Sequence, residues 1–377
     1  MNGRLAVRLG VVAVVLTLAA AVMVPVLLHS DWANTTVRTA AAPRPLGLSP
    51  LAAAPQRRWH ADGSPPRGGS AVQAGTVLVA TPHRLEGRDP ETGATRWFYE
   101  RRNATLCDWT TQDGLVFAAF RKRHGCRDLV ALNAGTGVRT WYRNAELDRD
   151  ITLSAMPSVL LAANSHAVVA FDTGGGLNRW TYGKPGCTLS EPARGDLGVG
   201  LLASCGGPAA QLILLDSFSG KERFKPVPVG GAARVLSTGQ AVAVLSGGAQ
   251  RPTLTLYGQA GTLLGSFTDA RLRYDDPAQT GATVHSGLIV GWTGRTVFAV
   301  PIGSPRLLWA VGGTGPAGAD SGDAVIGTQG GFAEVGLATG RVRRTVAAAH
   351  GGTAPVTIDR VGGLLVASGA DGTYVYG

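Results

Sequence analysis

Lysine and glutamate are scarce in this chain, at four and seven of 377 residues, and charged residues of all kinds make up only 16%. Glycine is abundant, at 54 residues. Gly costs about 1 kcal/mol relative to Ala inside a helix, so a mostly helical protein is excluded. Cysteine is limited to four residues with no C-x-x-C pair, which argues against a zinc ribbon, a thioredoxin-like site or a disulfide scaffold of this size. The seven His never stand at i,i+4 and no G-x-S-x-G stretch occurs, so the zincin and nucleophile-elbow motifs are missing. The glycine-rich stretch 313–318 sits among strands with no helix behind it, so it reads as a loop and not as a phosphate cradle. An apolar content of 45% excludes intrinsic disorder.

The net charge of +10 is unevenly placed. Residues 1–60 hold six Arg and one acid, a net of +5, and the remaining 317 residues, with 29 basic and 24 acidic, also carry +5. The body is therefore only mildly basic, and no nucleic-acid partner is expected. Residues 9–28 contain no charge at all. Twenty helical residues span about 30 Å, the hydrocarbon thickness of a bilayer. Arg4 and Arg8 precede the run and place residues 1–8 in the cytoplasm. The run is longer than a cleavable signal core, and its one small-residue triplet, Ala19-Ala20-Ala21, lies inside it. The expectation is a single uncleaved transmembrane signal anchor, with the rest of the chain outside the membrane. Residues 29–55, rich in Ala and Pro, read as an extended linker. Four Cys in an oxidising compartment read as two disulfides.

The body from residue 56 to 377 is a repeat. RLEGRDPETGATRWFY (84–99) matches LVALNAGTGVRTWYR (129–143), VVAFDTGGGLNRWTY (168–182) and LILLDSFSGKERFKP (212–226). In each, Asp89, Asn133, Asp172 or Asp216 precedes a Gly by four residues, and an aromatic (Trp97, Trp141, Trp180, Phe224) follows that Gly by four. Weaker copies follow around Gly261, Trp309 and Gly340. Each unit reads as a buried strand, a turn opened by Asp or Asn with Gly at the positive-φ position, and a second strand with an aromatic. A further apolar strand precedes each. The turn positions 89, 133, 172, 216, 257, 301, 336 and 376 are 35 to 44 residues apart, the length of a four-stranded propeller blade. The fold class is thus all-β, an eight-bladed β-propeller behind one transmembrane helix. The last unit lacks its outer strand, while Gln56-Arg57-Arg58-Trp59 resembles the outer strands of other units. That segment is expected to pair with the last blade beside Tyr374 and Tyr376 and close the ring.

The stretch LVALNAGTGVRTW resembles the pyrroloquinoline-quinone (PQQ)-like β-propeller repeat, roughly L-x-A-L-D-x-x-T-G-x-x-x-W. The resemblance runs from about residue 56 to 377 and is strongest in the first four units. It implies the fold. The family holds quinoprotein dehydrogenases and also non-enzymatic members, such as the propeller lipoprotein of the outer-membrane barrel-assembly machine. The dehydrogenases' vicinal Cys pair is missing here, and Trp97, Trp141 and Trp180 stand at the repeat's packing position. No quinone, other cofactor or metal is therefore expected, and no catalytic residue stands out. No His, Glu or Asp cluster is visible at the starts of the innermost strands.

Two sets of residues carry expectations. Cys107 and Cys126 flank LVFAAF in the second unit, and Cys187 and Cys205 hold nearly equivalent places in the fourth, at separations of 19 and 18. Blades two and four are not neighbours, so the pairing expected is Cys107–Cys126 and Cys187–Cys205. Arg101, Arg102, Arg121, Lys122 and Arg123 fall on connections that leave one face of a propeller, and are expected to form a surface patch for an acidic protein, an anionic glycan or a lipid head group. The function expected is that of a protein- or glycan-binding scaffold in the cell envelope. The alternative is a quinoprotein-like enzyme or small-ligand sensor using the central channel.

Overall fold

The computed structural model describes residues 30–377, apart from 45, 48, 50, 53, 123–124, 148–149, 231, 277–279, 314, 316–317, 321, 329 and 348–356. The apolar run 9–28 lies outside the described residues, and among those described no helix is long and apolar enough to cross a membrane.

The chain forms eight antiparallel sheets in sequence order. Blade one spans 72–101, two 105–144, three 152–183, four 188–230, five 233–268, six 281–312, seven 318–347 and eight 357–376. The further apolar strand expected ahead of each unit is the second strand of its blade. Val116–Phe120 of blade two are completely buried, as both faces of an inner sheet must be. Facing sheets form the core, with Phe117, Trp141, Leu153 and Phe171 packed together between blades two and three.

The repeated turn has the expected chemistry. Asp89 Oδ1 accepts from the backbone of Glu91 and Thr92 (3.1 and 2.9 Å), and Asn133 Oδ1 accepts from Gly135 and Thr136 (3.1 and 3.0 Å). Gly93, Gly137, Gly176, Gly220, Gly261 and Gly340 all have φ near +70°. The aromatic does more than cover its own sheet. Its indole N–H crosses to the next blade and donates to the carbonyl just after the turn opener. Trp59 bonds Pro90 (2.9 Å), Trp97 bonds Ala134 (2.8 Å), Trp141 bonds Thr173 (2.8 Å), Trp180 bonds Ser217 (3.0 Å) and Trp309 bonds Leu337 (2.6 Å). The ring lies flat against the turn Gly of that next blade. A Cβ on Gly137 would stand 2.7 Å from the Trp97 ring.

The ring closes as expected. Arg57–Ala61 pairs with Gly372–Tyr376, with Arg57 opposite Tyr376 and His60 opposite Tyr374. The Trp59 indole itself continues across to blade one, under Gly93.

The expected linker is corrected. Asp31–Asn34 forms one helical turn, and Thr35–Arg38 is a fifth, outermost strand on blade one, paired with Phe98–Arg101. Beyond it the chain stays on the ring. Ala40 N–H donates to Thr136 O (2.9 Å), Arg96 donates to Ala41 O (2.8 Å), Arg360 donates to Ser49 O (3.3 Å), and Arg344 reaches Ala52 O. An Ala- and Pro-rich segment offers few side-chain contacts, but its exposed backbone carbonyls are good acceptors for arginine.

Both disulfides are Cys107–Cys126 and Cys187–Cys205. They are less equivalent than the repeat implies. Cys187 and Cys205 continue the register of adjacent strands just beyond Thr188 and Ser204, with Cα atoms 4.1 Å apart. Cys107 and Cys126 sit on strands separated by a third, where about 9–10 Å is usual. The register shifts between Leu106 and Asp108 and between Phe120 and Arg121, and these bulges accompany a Cα separation of 6.1 Å.

Gly137→Ala is expected to lower stability more than Gly114→Ala. Both glycines have φ near +75°, but nothing lies within 4 Å of a Cβ on Gly114. The shared backbone cost is about 1 kcal/mol, and the Trp97 clash adds about 1–3 kcal/mol at Gly137 alone. Equal urea midpoints for the two variants would refute the ring-on-glycine contact as a determinant of stability.

Each disulfide closes a loop worth about 3 kcal/mol in the chain-entropy estimate. Replacing Cys187 and Cys205 together by Ser should lower the unfolding free energy by an amount of that order. A denaturant titration that shows no loss argues against a stabilising role.

Candidate functional site

The expected cation patch divides into a buried part and an exposed part. Arg101 is 1% exposed, so its assignment to a surface patch is wrong. It ends the outer strand of blade one and slots between blades one and two, over the rings of Phe120 (5.4 Å) and Tyr142 (5.8 Å). Its guanidinium lies 2.9 Å from Asp31 and 3.4 Å from Asp128. Lys122 joins the same cluster, bound to Asp31 and, at 2.8 Å, to Asp128. Asn103 adds a bond to Asp31 (3.1 Å). Burial opposes ionisation of Asp31, yet the bonds from Lys122 and Asn103 and the charge of Arg101 hold its carboxyl below the usual range. Arg121 is exposed and pairs with Asp150. Arg102 is exposed and donates to Ala33 O (3.2 Å), with no carboxylate partner among the described residues. Arg123 lies outside the described residues. The structure thus brings Arg101 and Lys122 together as a clasp on the N-terminal segment and leaves Arg102 and Arg121 on the rim.

The central channel holds what the inner strands alone did not reveal. Residues 63–71 leave the outer strand of blade eight and run into the channel. Arg67 N–H donates to Trp109 O (2.8 Å), Thr110 Oγ1 donates to Arg67 O (2.9 Å), and Thr111 Oγ1 donates to Ser70 O (2.7 Å). The Arg67 guanidinium bridges Asp108 of blade two (2.8 Å) and Glu191 of blade four (3.1 Å). Arg234 of blade five stands 3.7 Å from Glu191. Arg194 donates to Ser154 Oγ (2.8 Å) and to Gly68 O, and burial pushes its guanidinium down to about 10. Asp108 and Glu191 are thus the converging acids that were not anticipated. They lie 83 residues apart, and the residue that joins them comes from the Pro- and Gly-rich stretch before blade one.

Beside this plug a cavity of about 360 Å³ remains toward blades four to six, bordered by Arg194, Arg234, Ser237, Thr283 and Trp292. No group of three His, Cys, Asp or Glu among the described residues could hold a metal ion. The carboxylates of the channel engage arginines and backbone N–H groups. The cavity border carries Arg194 and Arg234 together with Glu191 and Asp196, so the contacts it offers are ionic and hydrogen-bonding ones of both signs.

These features define an eight-bladed β-propeller whose channel is partly filled by its own N-terminal stretch. No family model matches the chain, and no curated protein matches it in sequence. Similarity is to solved structures and is one of fold. The computationally designed Ika8 protein is 14% identical with a TM-score of 0.63, over 85% of this chain and 99% of that one. BamB from Moraxella catarrhalis is 15% identical with a TM-score of 0.50, over 90% and 99%. Sqt1 from Saccharomyces cerevisiae is 10% identical with a TM-score of 0.59, over 87% and 99%.

On the innermost strand of blade eight, Asp359 accepts from Ala71 N–H (2.9 Å). Burial pushes its carboxyl up to about 6, against lowering bonds from Ser70, Ala71 and Thr357. The folded state therefore holds this proton more tightly than the unfolded chain, whose ordinary value is about 3.9. The contribution is present below about pH 4 and is lost as pH rises through 6, by roughly 2–3 kcal/mol at most. Asp359→Asn cannot ionise and should gain stability over the unaltered protein across that window. Urea unfolding at several pH values checks it, and a difference between the two proteins that stays constant from pH 4 to 7 refutes it.

Proposed function

We propose that this chain is a single-pass membrane protein whose propeller stands outside the cytoplasmic membrane and docks another protein of the cell envelope. The observation that carries the docking role is a row of exposed apolar side chains, one in each of six successive blades. Val138, Leu177, Phe218 and Leu308 stand in the turn from the third to the outermost strand of blades two, three, four and six, and Leu263 and Val342 open the outermost strand of blades five and seven directly after that turn. In an antiparallel blade these turns all leave the same face of the ring. Phe218 is 72% and Leu177 is 64% exposed, in turns whose neighbouring residues are polar. Repeated apolar exposure on one face of a rigid scaffold suits a protein partner. The fold shared with propellers such as BamB is in keeping with this reading. Export is supported by the uncharged run 9–28 behind Arg4 and Arg8 and by two disulfides, which persist in oxidising compartments.

A second reading, a small polar ligand in the channel, is favoured by the remaining cavity, which Arg194 and Arg234 border together with Glu191 and Asp196. The two readings differ in which face matters.

Alkaline phosphatase fused after Gly377 should be active, and a cytosolic fluorescent reporter at the same position should stay dark. The reverse result overturns the topology. Photo-crosslinkers at Leu177 and Phe218 should trap a protein adduct in cells that disappears with Leu263→Asp and Leu308→Asp, while the thermal midpoint moves little. Adduct unchanged by those substitutions removes the apolar row from the docking role.

A further inference from the structure

The structure bears on how the propeller sits relative to the bilayer, given the membrane-anchored reading above. A free linker would let the ring tumble. The N-terminal segment is instead clasped to the ring at once. Leu28 ends the uncharged run, and Asp31, three residues on, is held by Arg101, Lys122 and Asn103. Three residues span at most about 11 Å, even when fully extended. The headgroup layer on one side of a bilayer is about 5–8 Å thick. The clasp therefore falls within or just above that layer.

The clasp sits on one defined face. Residues 102–104 link blade one to blade two, and Lys122 ends the second strand of blade two opposite Gly125, which begins the third. Such links and turns share the face opposite the apolar row. Two side chains there suit a headgroup layer. Trp32, in the short helical turn between Ser30 and Thr35, is 86% exposed, and an amphipathic indole prefers the interface. Arg102, exposed and without a carboxylate partner among the described residues, is placed to meet phosphate.

We propose that this face of blades one and two rests on the phospholipid headgroup layer, held there by the clasp of Asp31 on Arg101 and Lys122, with Trp32 and Arg102 as the lipid-contacting residues. The apolar row on the opposite face is then turned away from the membrane, toward the envelope.

The test uses the full chain in nanodiscs containing lipids with nitroxide-labelled headgroups. A fluorophore is placed on Thr105→Cys, an exposed position beside the clasp, or on Val138→Cys, on the opposite face. Quenching should be at least about threefold stronger at 105 than at 138, since nitroxide quenching acts near contact and a strand of five to six residues separates the two faces by roughly 17–20 Å. Asp31→Ala should bring the two positions closer together while the chain stays in the disc. Incorporation with equal quenching at 105 and 138 overturns the seating and leaves the anchor intact. A contrast that survives Asp31→Ala overturns the clasp as its cause. A chain that does not enter the discs overturns both the anchor and the seating.

Discussion

A tryptophan that reaches across to the next blade's turn holds this ring together. A propeller blade is a twisted sheet with two apolar faces, and it is stable only against neighbours at a set distance. The indole sets that distance twice, by a hydrogen bond to the carbonyl after the turn opener and by its flat face against the turn glycine. Fully burying a large apolar side chain contributes about 2–3 kcal/mol, and the indole bond prevents an unpaired carbonyl at the same junction. The glycine is required because positive φ and a ring in contact leave no room for a side chain. Where the motif weakens, packing takes over. Phe224 keeps the ring over Gly261 without the N–H, and Phe267 packs in an apolar cluster with Phe298 and Ile302 between blades five and six.

Closure uses the same contact. The outer strand of blade eight comes from the N-terminal side of the domain, and its Trp59 makes the junction to blade one that Trp97 makes to blade two. The segment before it is bound too. Between Asp31 and Ala52 the described residues meet residues from blades one, two, seven and eight, so the segment before the first blade is committed to the ring as the last strand is. Residues 63–71 then add inner contacts from the channel. One stretch of chain thereby clasps the outside, closes the last blade and fills part of the centre.

The division of the ring into two faces follows from antiparallel connectivity. Turns from third to outermost strand share one face and carry the apolar row, while the inter-blade links share the other and carry the N-terminal clasp. The channel between them is occupied by an ionic network in which Arg67 ties blades two and four to the entering segment. Such a network places ionic and hydrogen-bonding contacts at the centre of the ring.

The repeat, the blade number, the closing strand and both cysteine pairs were legible in the amino-acid sequence. Each rests on contacts within one blade or on comparison of one blade with another, and such contacts recur at a fixed period. The propeller of eight blades and its turn chemistry follow from Asp or Asn, Gly and Trp at constant spacing. Tertiary structure alone decided the rest, because those residues meet across long separations without any repeating pattern. Arg101 looks like a surface cation beside Arg102, but the gap between two blades and the carboxylates of Asp31 and Asp128 draw it inside. Residues 29–55 have the composition of a linker, and only arginines of distant blades turn their carbonyls into docking points. The channel cluster joins residue 67 to residues 108 and 191, and its geometry exists only once the ring has closed.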